Sequence, residues 1–271
     1  MEQDLTAISR QIREETVRSI GSIGIGHIGG CLSLAEILAV LYFRHMNIDP
    51  RDPQMAGRDR LVVSKGHAGP AVYAALALRG YFPKEDLMTL NASGTNLPSH
   101  CDMNRTPGID MTTGSLGQGF SCAVGIALAS RLRGDKASIY AIIGDGESQE
   151  GQIWEAAMYA GNQKLNKLIS FTDYNDLQID GNVSQVNDIS PLQDKWRAFK
   201  WHTLVVDGHD TKALDSAIHS AKGQDKPTMI IAKTIKGKGV SFVVSKGAGN
   251  HNMPFGEKDA QTALEELRRD I

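Results

Sequence analysis

The chain has 271 residues, 41% of them hydrophobic, enough to bury a sizeable core, and its formal net charge of -2 offers no overall attraction to a phosphodiester backbone. Nucleic acid is therefore not an expected partner, and no apolar run approaches the length needed to cross a bilayer. Three cysteines, Cys31, Cys101 and Cys122, show neither a paired framework nor C-x-x-C spacing, which predicts reduced thiols, no structural zinc and a cytoplasmic setting.

The first periodic segment predicts a helix over 12–20, just ahead of Gly24-Ile25-Gly26-His27-Ile28-Gly29. That run has the letters of a dinucleotide-binding fingerprint, but the fingerprint requires a preceding strand, so a nicotinamide site is rejected. Largely apolar helices are expected over 32–46 and 118–132. Residues 138–143 form a β-branched apolar run, read as a buried strand ending on Gly144, which puts the Asp145 carboxylate at a strand's carboxyl end. Ile153, Trp154, Ala157 and Met158 then recur at helical spacing, so a helix is expected over 150–163 and Gly146 lies where loop turns into helix. Backbone N–H groups at such a place can cradle phosphate. Glu150 and Glu155 near that start suit the positive end of the helix dipole.

Residues 167–172 repeat the arrangement as a second strand, with a polar loop over 173–180 beyond it. Asn175 follows Asp145 by thirty residues, so two adjacent strand ends can share one ion. Magnesium takes roughly six oxygens, few of them from protein, and an Asp145 carboxylate, an Asn175 amide oxygen and a nearby backbone carbonyl would supply the protein's share.

Further along, Ser190-Pro191 predicts a cap and first-turn proline for an amphipathic stretch to residue 199, and Thr211 starts a helix through 221. Strands are expected over 203–206 and 228–233. His45 and His219 fall in helical patterns and His202 and His209 flank the strand at 203–206, so all four are read as structural. Two Lys-Gly-rich runs, Lys236-Gly237-Lys238-Gly239 and Lys246-Gly247-Ala248-Gly249, precede a last helix over 258–269, giving an active-site loop and C-terminal helix over about 236–271. Alternating helices and strands predict an α/β fold, a parallel sheet with helices on both faces in one domain over 1–271, with ligands bound beyond the strands' carboxyl ends.

Gly144-Asp145-Gly146 followed by Asn175 resembles the signature of thiamine-diphosphate enzymes. Joined in order by Gly26-His27-Ile28-Gly29-Gly30, by Asp59-Arg60-Leu61-Val62-Val63-Ser64-Lys65-Gly66-His67 and by Thr112-Thr113-Gly114-Ser115-Leu116-Gly117-Gln118-Gly119, it makes nearly the whole chain similar to transketolase. The resemblance implies that Asp145, Asn175 and the carbonyl of Leu177 bind magnesium, for which calcium or manganese can substitute. It implies that Gly146 meets the diphosphate by its amide, with His67 and His251 near the phosphates, Gly114 and Leu116 against the aminopyrimidine, Asn175 among the cofactor contacts and Ile179 against the thiazolium. His27 and His100 would face the substrate, and His27, His67, His100 and His251 are the catalytic candidates, since neutral imidazole both donates and accepts near pH 7. Asn250-His251-Asn252-Met253-Pro254 departs from the family's usual His-Gly at this point. Glu150 and Glu155 match acidic positions that face a subunit interface.

Transketolases carry a second α/β domain that binds the pyrimidine and supplies an activating glutamate, and this sequence ends before such a domain. The expectation is the N-terminal, diphosphate-binding subunit of a split transketolase, completed by a C-terminal pyrimidine-binding subunit in an α2β2 heterotetramer. The implied activity moves a two-carbon ketol unit from a ketose phosphate to an aldose phosphate, with the cofactor as nucleophile. Two other thiamine-diphosphate systems share parts of the pattern. One is the α subunit of a 2-oxo acid dehydrogenase, against which His67 and the 112–119 motif argue. The other is a deoxyxylulose-phosphate synthase, whose loop Lys233 to Gly239 resembles. A non-catalytic assembly subunit would have no need of Asp145, Asn175, His27, His67 and His100.

Overall fold

Asp4 opens the first helix, α1 (Leu5–Ile23): its carboxylate accepts from the amides of Thr6 and Ala7, and the helix closes on Gly24 at a φ of 81°. This computed structural model describes residues 4–269, so the ends of the expected 1–271 unit and 236–271 segment lie outside the described residues. After α1 come β1 (Gly24–Gly26), α2 (Ile28–Leu32), α3 (Ala35–Val40), a π-helical turn (Leu41–His45), β2 (Arg60–Val63) and α4 (Gly69–Arg79). The central stretch is α5 (Gln118–Arg133), β3 (Ile139–Gly144), a 3-10 turn (Gly146–Gln149), α6 (Gly151–Asn162) and β4 (Leu168–Tyr174). A small hairpin, β5 (Leu177–Gln178) with β6 (Gly181–Asn182), leads to α7 (Val183–Val186), α8 (Leu192–Ala198), β7 (His202–Asp207), α9 (Thr211–Lys222) and β8 (Thr228–Lys233). A strap holding α10 (Ser241–Val244) and a 3-10 turn (Gly247–Asn250) then reaches β9 (Met253–Phe255) and α11 (Glu257–Arg269).

Five strands form one parallel sheet in the order β2-β3-β4-β8-β7. The apolar run of β3 is divided between its two faces by the two-residue period. Ile139, Ala141 and Ile143 join a core with α5, α6, Trp196 and Trp201, while Tyr140 and Ile142 join one with α1, α3, α4, α9 and α11. Fully burying an isoleucine contributes roughly 1.5–3 kcal/mol, so both faces hold the strand in register. That register pairs Gly144 with Asp173, which sets Asp145 beside the end of β4, and the Asp145 amide donates to the Asp173 carbonyl at 3.2 Å. The fold is the α/β arrangement expected from the alternation.

Several local expectations are corrected. The helix expected over 32–46 is broken after Leu32, where Ser33 turns its hydroxyl onto Asp173 at 2.7 Å, and ends in the π turn. Residues 60–63, read only as part of a motif, are the edge strand β2. Asp173 and Tyr174 belong to β4, not to the loop. Ser190 caps nothing: α8 starts after Pro191 without a side-chain cap, and the Ser190 amide donates to Asp188. Thr211 does begin α9, as expected, and Asp210 before it supplies the cap through the amides of Lys212 and Ala213. His202 lies within β7 and does not flank it.

Candidate active site

Asp145, at the carboxyl end of β3, is 2% exposed and accepts three backbone hydrogen bonds: from Gly146 at 2.8 Å on one oxygen, and from Asn175 at 2.7 Å and Asp176 at 2.5 Å on the other. Burial, with Asp173 adding its charge, outweighs those amides and pushes the carboxyl up to about 6. Such a group is short of positive charge. Asn175 uses its side-chain oxygen to accept the Leu177 amide at 3.1 Å and its side-chain nitrogen to donate to Asp173, which fixes the amide's orientation. The 2.8 Å bond to Asp145 turns the Gly146 amide onto the neighbouring carboxylate in this structure.

The floor beneath is a buried ionic network that motif spacing does not reveal. Asp173 is fully buried and accepts from Lys65 at 2.6 Å, from Ser33, from Asn175 and from the Thr234 hydroxyl, and Lys65 also donates to the Gly30 carbonyl at 2.9 Å. Burial alone would raise Asp173, but the Lys65 ammonium and these hydrogen bonds hold it below the usual carboxylate range. Glu147, 3% exposed, accepts from the Ser64 hydroxyl at 2.5 Å, from the Gly117 amide at 2.9 Å and from the Gly144 amide at 3.0 Å. One carboxylate thus fastens the 112–119 loop to the Gly-Asp-Gly turn. Lys65 and Glu147 stand inside or beside the motifs; for Glu147 the available signal is a charged residue just past a predicted strand, whereas residues 60–63 ahead of Lys65 are not read as a strand from sequence.

Four histidines converge across the cavity: the ring centre of His27 lies 5.2 Å from His67, 5.6 Å from His100 and 5.4 Å from His251, and His67 lies 5.0 Å from His251. All four are pushed toward the neutral form, first by burial. Lys65, His251, His27 and Lys236 add to this at His67, while at His251 burial and then Lys236 bring the value down to about 4. Lys236 donates to the Leu177 carbonyl at 3.0 Å and to His251 Nδ1 at 3.2 Å, so the His251 proton sits on Nε2. Burial, and then the charge of Lys65, lower the Lys236 ammonium to about 8.

The strap that carries Lys236 and His251 is held by Asn250, fully buried, whose side-chain nitrogen donates to the carbonyls of Lys236 at 3.2 Å and Val243 at 3.1 Å. A Cβ at Gly29 would fall 2.4 Å from Asn250 Oδ1, which is why only glycine fits there. β1 and β9 pair antiparallel beside this clasp, placing His27 and His251 at neighbouring strand ends. Gly114 has a φ of 150°, and a Cβ there would lie 3.0 Å from His100 Cδ2.

A cavity of about 370 Å³ is lined by His27, His67, His100, Gly114, Leu116, Asp145, Gly146, Asn175, Leu177, Ile179 and His251 together with Lys65 and Lys236. All eleven residues expected at the site therefore reach one cavity, of a size suited to a small ligand. The donors also fit the implied groups: a carboxylate, an amide oxygen and a backbone carbonyl suit a hard cation, and two buried lysines suit the phosphates such a cation would accompany. Leu116 is 36% and Ile179 67% exposed on the lip. Burial pushes Cys31 and Cys101 up to about 12, so both thiols stay protonated and no disulfide joins them. Among the described residues no helix is long and apolar enough to cross a membrane.

Comparison with known proteins agrees with this geometry. The family described as transketolase, thiamine diphosphate binding domain, matches residues 4–270. The chain is 59% identical over 268 residues to the 6-deoxy-6-sulfo-D-fructose transketolase subunit SqwG of Clostridium sp. (strain MSTE9), covering 98% of this chain and 97% of that one. It is 39% identical to an apulose-4-phosphate transketolase subunit of Actinobacillus succinogenes, over 99% of this chain and 96% of the relative. Among solved structures, the transketolase from Leishmania mexicana superposes with a TM-score of 0.91 at 32% identity, covering 99% of this chain but 42% of that longer one. The chain belongs to the transketolase family, as a member of its N-terminal thiamine-diphosphate-binding domain.

Proposed function

We propose that this chain is the diphosphate-binding subunit of a two-chain transketolase, which transfers a two-carbon ketol unit between sugars. The observation that carries this reading is the joining of Asp145, Asn175 and the Leu177 carbonyl with His27, His67, His100 and His251 in one cavity that has exposed apolar groups on its lip. The relatives named as separate subunits match end to end, which supports a partner chain.

Asp145, Asn175 and Leu177 would hold magnesium, or calcium or manganese in its place. Gly146, His67 and His251 would meet the diphosphate, and Gly114, Leu116 and Ile179 the rings. Bound thiamine diphosphate supplies the nucleophilic thiazolium carbon. This chain's own residues then do the rest. Lys236 and Lys65 set positive charge beside the diphosphate position, and freeing the Gly146 amide from Asp145 would give it an anion to bind. His27 and His100, held neutral by burial, move protons to and from the sugar oxygens. His67, more deeply buried and beside Lys65, stays unprotonated and so accepts a hydrogen bond at physiological pH.

The partner would supply the pyrimidine-binding wall and the activating glutamate in an α2β2 assembly, in the cytoplasm. The donor is a ketose with an anion at its far end. Phosphate is the general case, and the 59% identity to a sulfofructose transketolase subunit makes a 6-sulfo ketose the first donor to try beside a pentose phosphate. The test is ketol transfer to an aldose phosphate, with magnesium and thiamine diphosphate, using the chain with and without its partner. Activity confined to the pair supports the reading, and strong activity of the single chain sinks it. A cofactor-loaded pair inert on both donors would reject ketol transfer.

A further inference from the structure

Away from the cavity, the π turn ends on His45, closed by the Met46 amide donating to the Leu41 carbonyl at 2.9 Å. π turns recur at functional positions because the extra residue re-aims a side chain. Here it turns His45 toward α9, where Asp215 and His219 lie four residues apart on one helix face. His45 Nε2 is 2.7 Å from Asp215 Oδ1, His219 Nδ1 is 3.6 Å from the same oxygen, and one ligand atom from each of the three lies within 4.8 Å of the others. The Lys222 ammonium, on the last residue of α9, donates to the His45 carbonyl, which places the group toward the amino ends of the strands, remote from the diphosphate cavity.

We propose that His45, Asp215 and His219 form a binding site for a divalent transition metal of the zinc class. Zinc holds imidazole nitrogen and carboxylate oxygen at about 2.0–2.1 Å, so neighbouring ligand atoms in a tetrahedron are about 3.3 Å apart, and the observed 2.7 and 3.6 Å bracket that spacing. The surrounding contacts complete the arrangement. His219 Nδ1 donates to the Asp215 carbonyl at 3.1 Å, which holds the ring over the carboxylate, and an ion taking Nδ1 would shift that proton to Nε2. Arg44 donates to the other Asp215 oxygen at 3.2 Å, the kind of bond that orients a ligating carboxylate. His45 is 8% exposed and its Nε2 donates to Asp215 Oδ1 at 2.7 Å, so an ion taking Nε2 would move that proton to Nδ1. His219 is 70% exposed in its side chain, which gives an ion access and leaves the fourth position to water. Arg44 and Lys222 oppose the added positive charge and keep affinity moderate. Two imidazoles favour zinc, cobalt or nickel over magnesium, which separates this site chemically from the oxygen set around Asp145. A bound ion would tie the end of the π turn to α9, two elements packed on the same face of the sheet.

The test is Co2+ titration of the EDTA-stripped chain, read by visible d–d absorption and by displacement with Zn2+. The histidines of the cavity give a background common to all variants, so the difference between proteins reads the new site. Wild type should take up one equivalent more than His219→Ala, a change at an exposed position that leaves the core intact. Asp215→Asn should weaken that extra equivalent at least about tenfold. Zn2+ should raise the melting temperature of wild type above that of His219→Ala in a concentration-dependent way. Equal stoichiometry and equal spectra in wild type and His219→Ala would overturn the site.

Discussion

On the floor of the cavity Asp145, Glu147, Asp173 and Lys65 are all buried, and each finds its hydrogen-bond partners within this chain. On the lip, Leu116 and Ile179 expose apolar side chains. The floor must hold charges in place before any ligand arrives, because buried carboxylates without fixed partners would be too costly to keep. The lip needs only shape and apolar surface, which a second chain can complete. On the proposed function, the contrast would give anchoring of the anionic, metal-bearing end to this chain and leave closure over the rings to an interface.

The largest effect is expected at the floor's functional charge. Asp145→Ala should lower ketol transfer by the assembled pair about 10⁴-fold or more if, as proposed, it holds the metal. Calorimetry should show magnesium-dependent cofactor binding gone, with an unchanged far-ultraviolet spectrum of the apo chain. An active variant would remove the metal assignment.

Lys65→Met tests the floor's structural charge. It leaves Asp173 buried and uncompensated, so urea unfolding should show a loss of about 3–5 kcal/mol. Adding Asp173→Asn should recover a good part of that loss. A double variant no better than the single would mean that Lys65 contributes packing rather than charge.

His100 stands between the two regions, and its replacement separates chemistry from anchoring. His100→Ala should lower turnover about 10²-fold while cofactor affinity stays nearly unchanged. Parallel losses of both would erase the division.

A smaller effect belongs to pH. His251 titrates near 4 when folded against 6.5 when free, so as pH falls through 6.5 the unfolded chain takes up its proton first and stability is lost toward pH 4. Asp145, pushed up to about 6, works the other way, because the folded chain protonates first and gains stability as pH falls from 6. The wild-type curve mixes both, so the readout is the difference between wild type and His251→Gln in the apo chain. That difference should shift against wild type by about 1–2 kcal/mol between pH 6.5 and 4, allowing for solvent screening of a half-buried ring. A flat difference would show that His251 is wetter than its packing suggests.

Much of the fold was legible because β3 and β4 are short, largely apolar runs ending at Gly144 and near Asp173, and such runs suit a sheet covered on both faces. Asp145 and Asn175 were legible as a pair through their spacing, while the histidines entered only through the family resemblance. Less visible were partners whose meaning exists only in three dimensions. Nothing in the sequence names the partners of Asn250, the Lys236 and Val243 carbonyls of its own strap, or the Gly117 amide that Glu147 takes from another loop, because the folded chain alone brings them together. The π turn at Leu41–His45 was hidden for another reason: its apolar pattern matches an ordinary helix, and the hydrogen-bond shift that re-aims His45 leaves no trace in composition.

The last and smallest effect on stability falls on the lip. Ile179 follows the β5 strand and is 67% exposed, so Ile179→Ser removes little buried area and should leave unfolding within about 0.5 kcal/mol of wild type. If the lip is completed by a partner and a cofactor ring, the same change should raise the cofactor concentration needed for half-maximal activity of the pair severalfold. Turnover at saturation should stay close to wild type. That pattern, normal stability with weakened loading, is the inverse of the one expected for Lys65→Met. A destabilised Ile179→Ser chain would place the residue in the core of this subunit and break the contrast between the two regions.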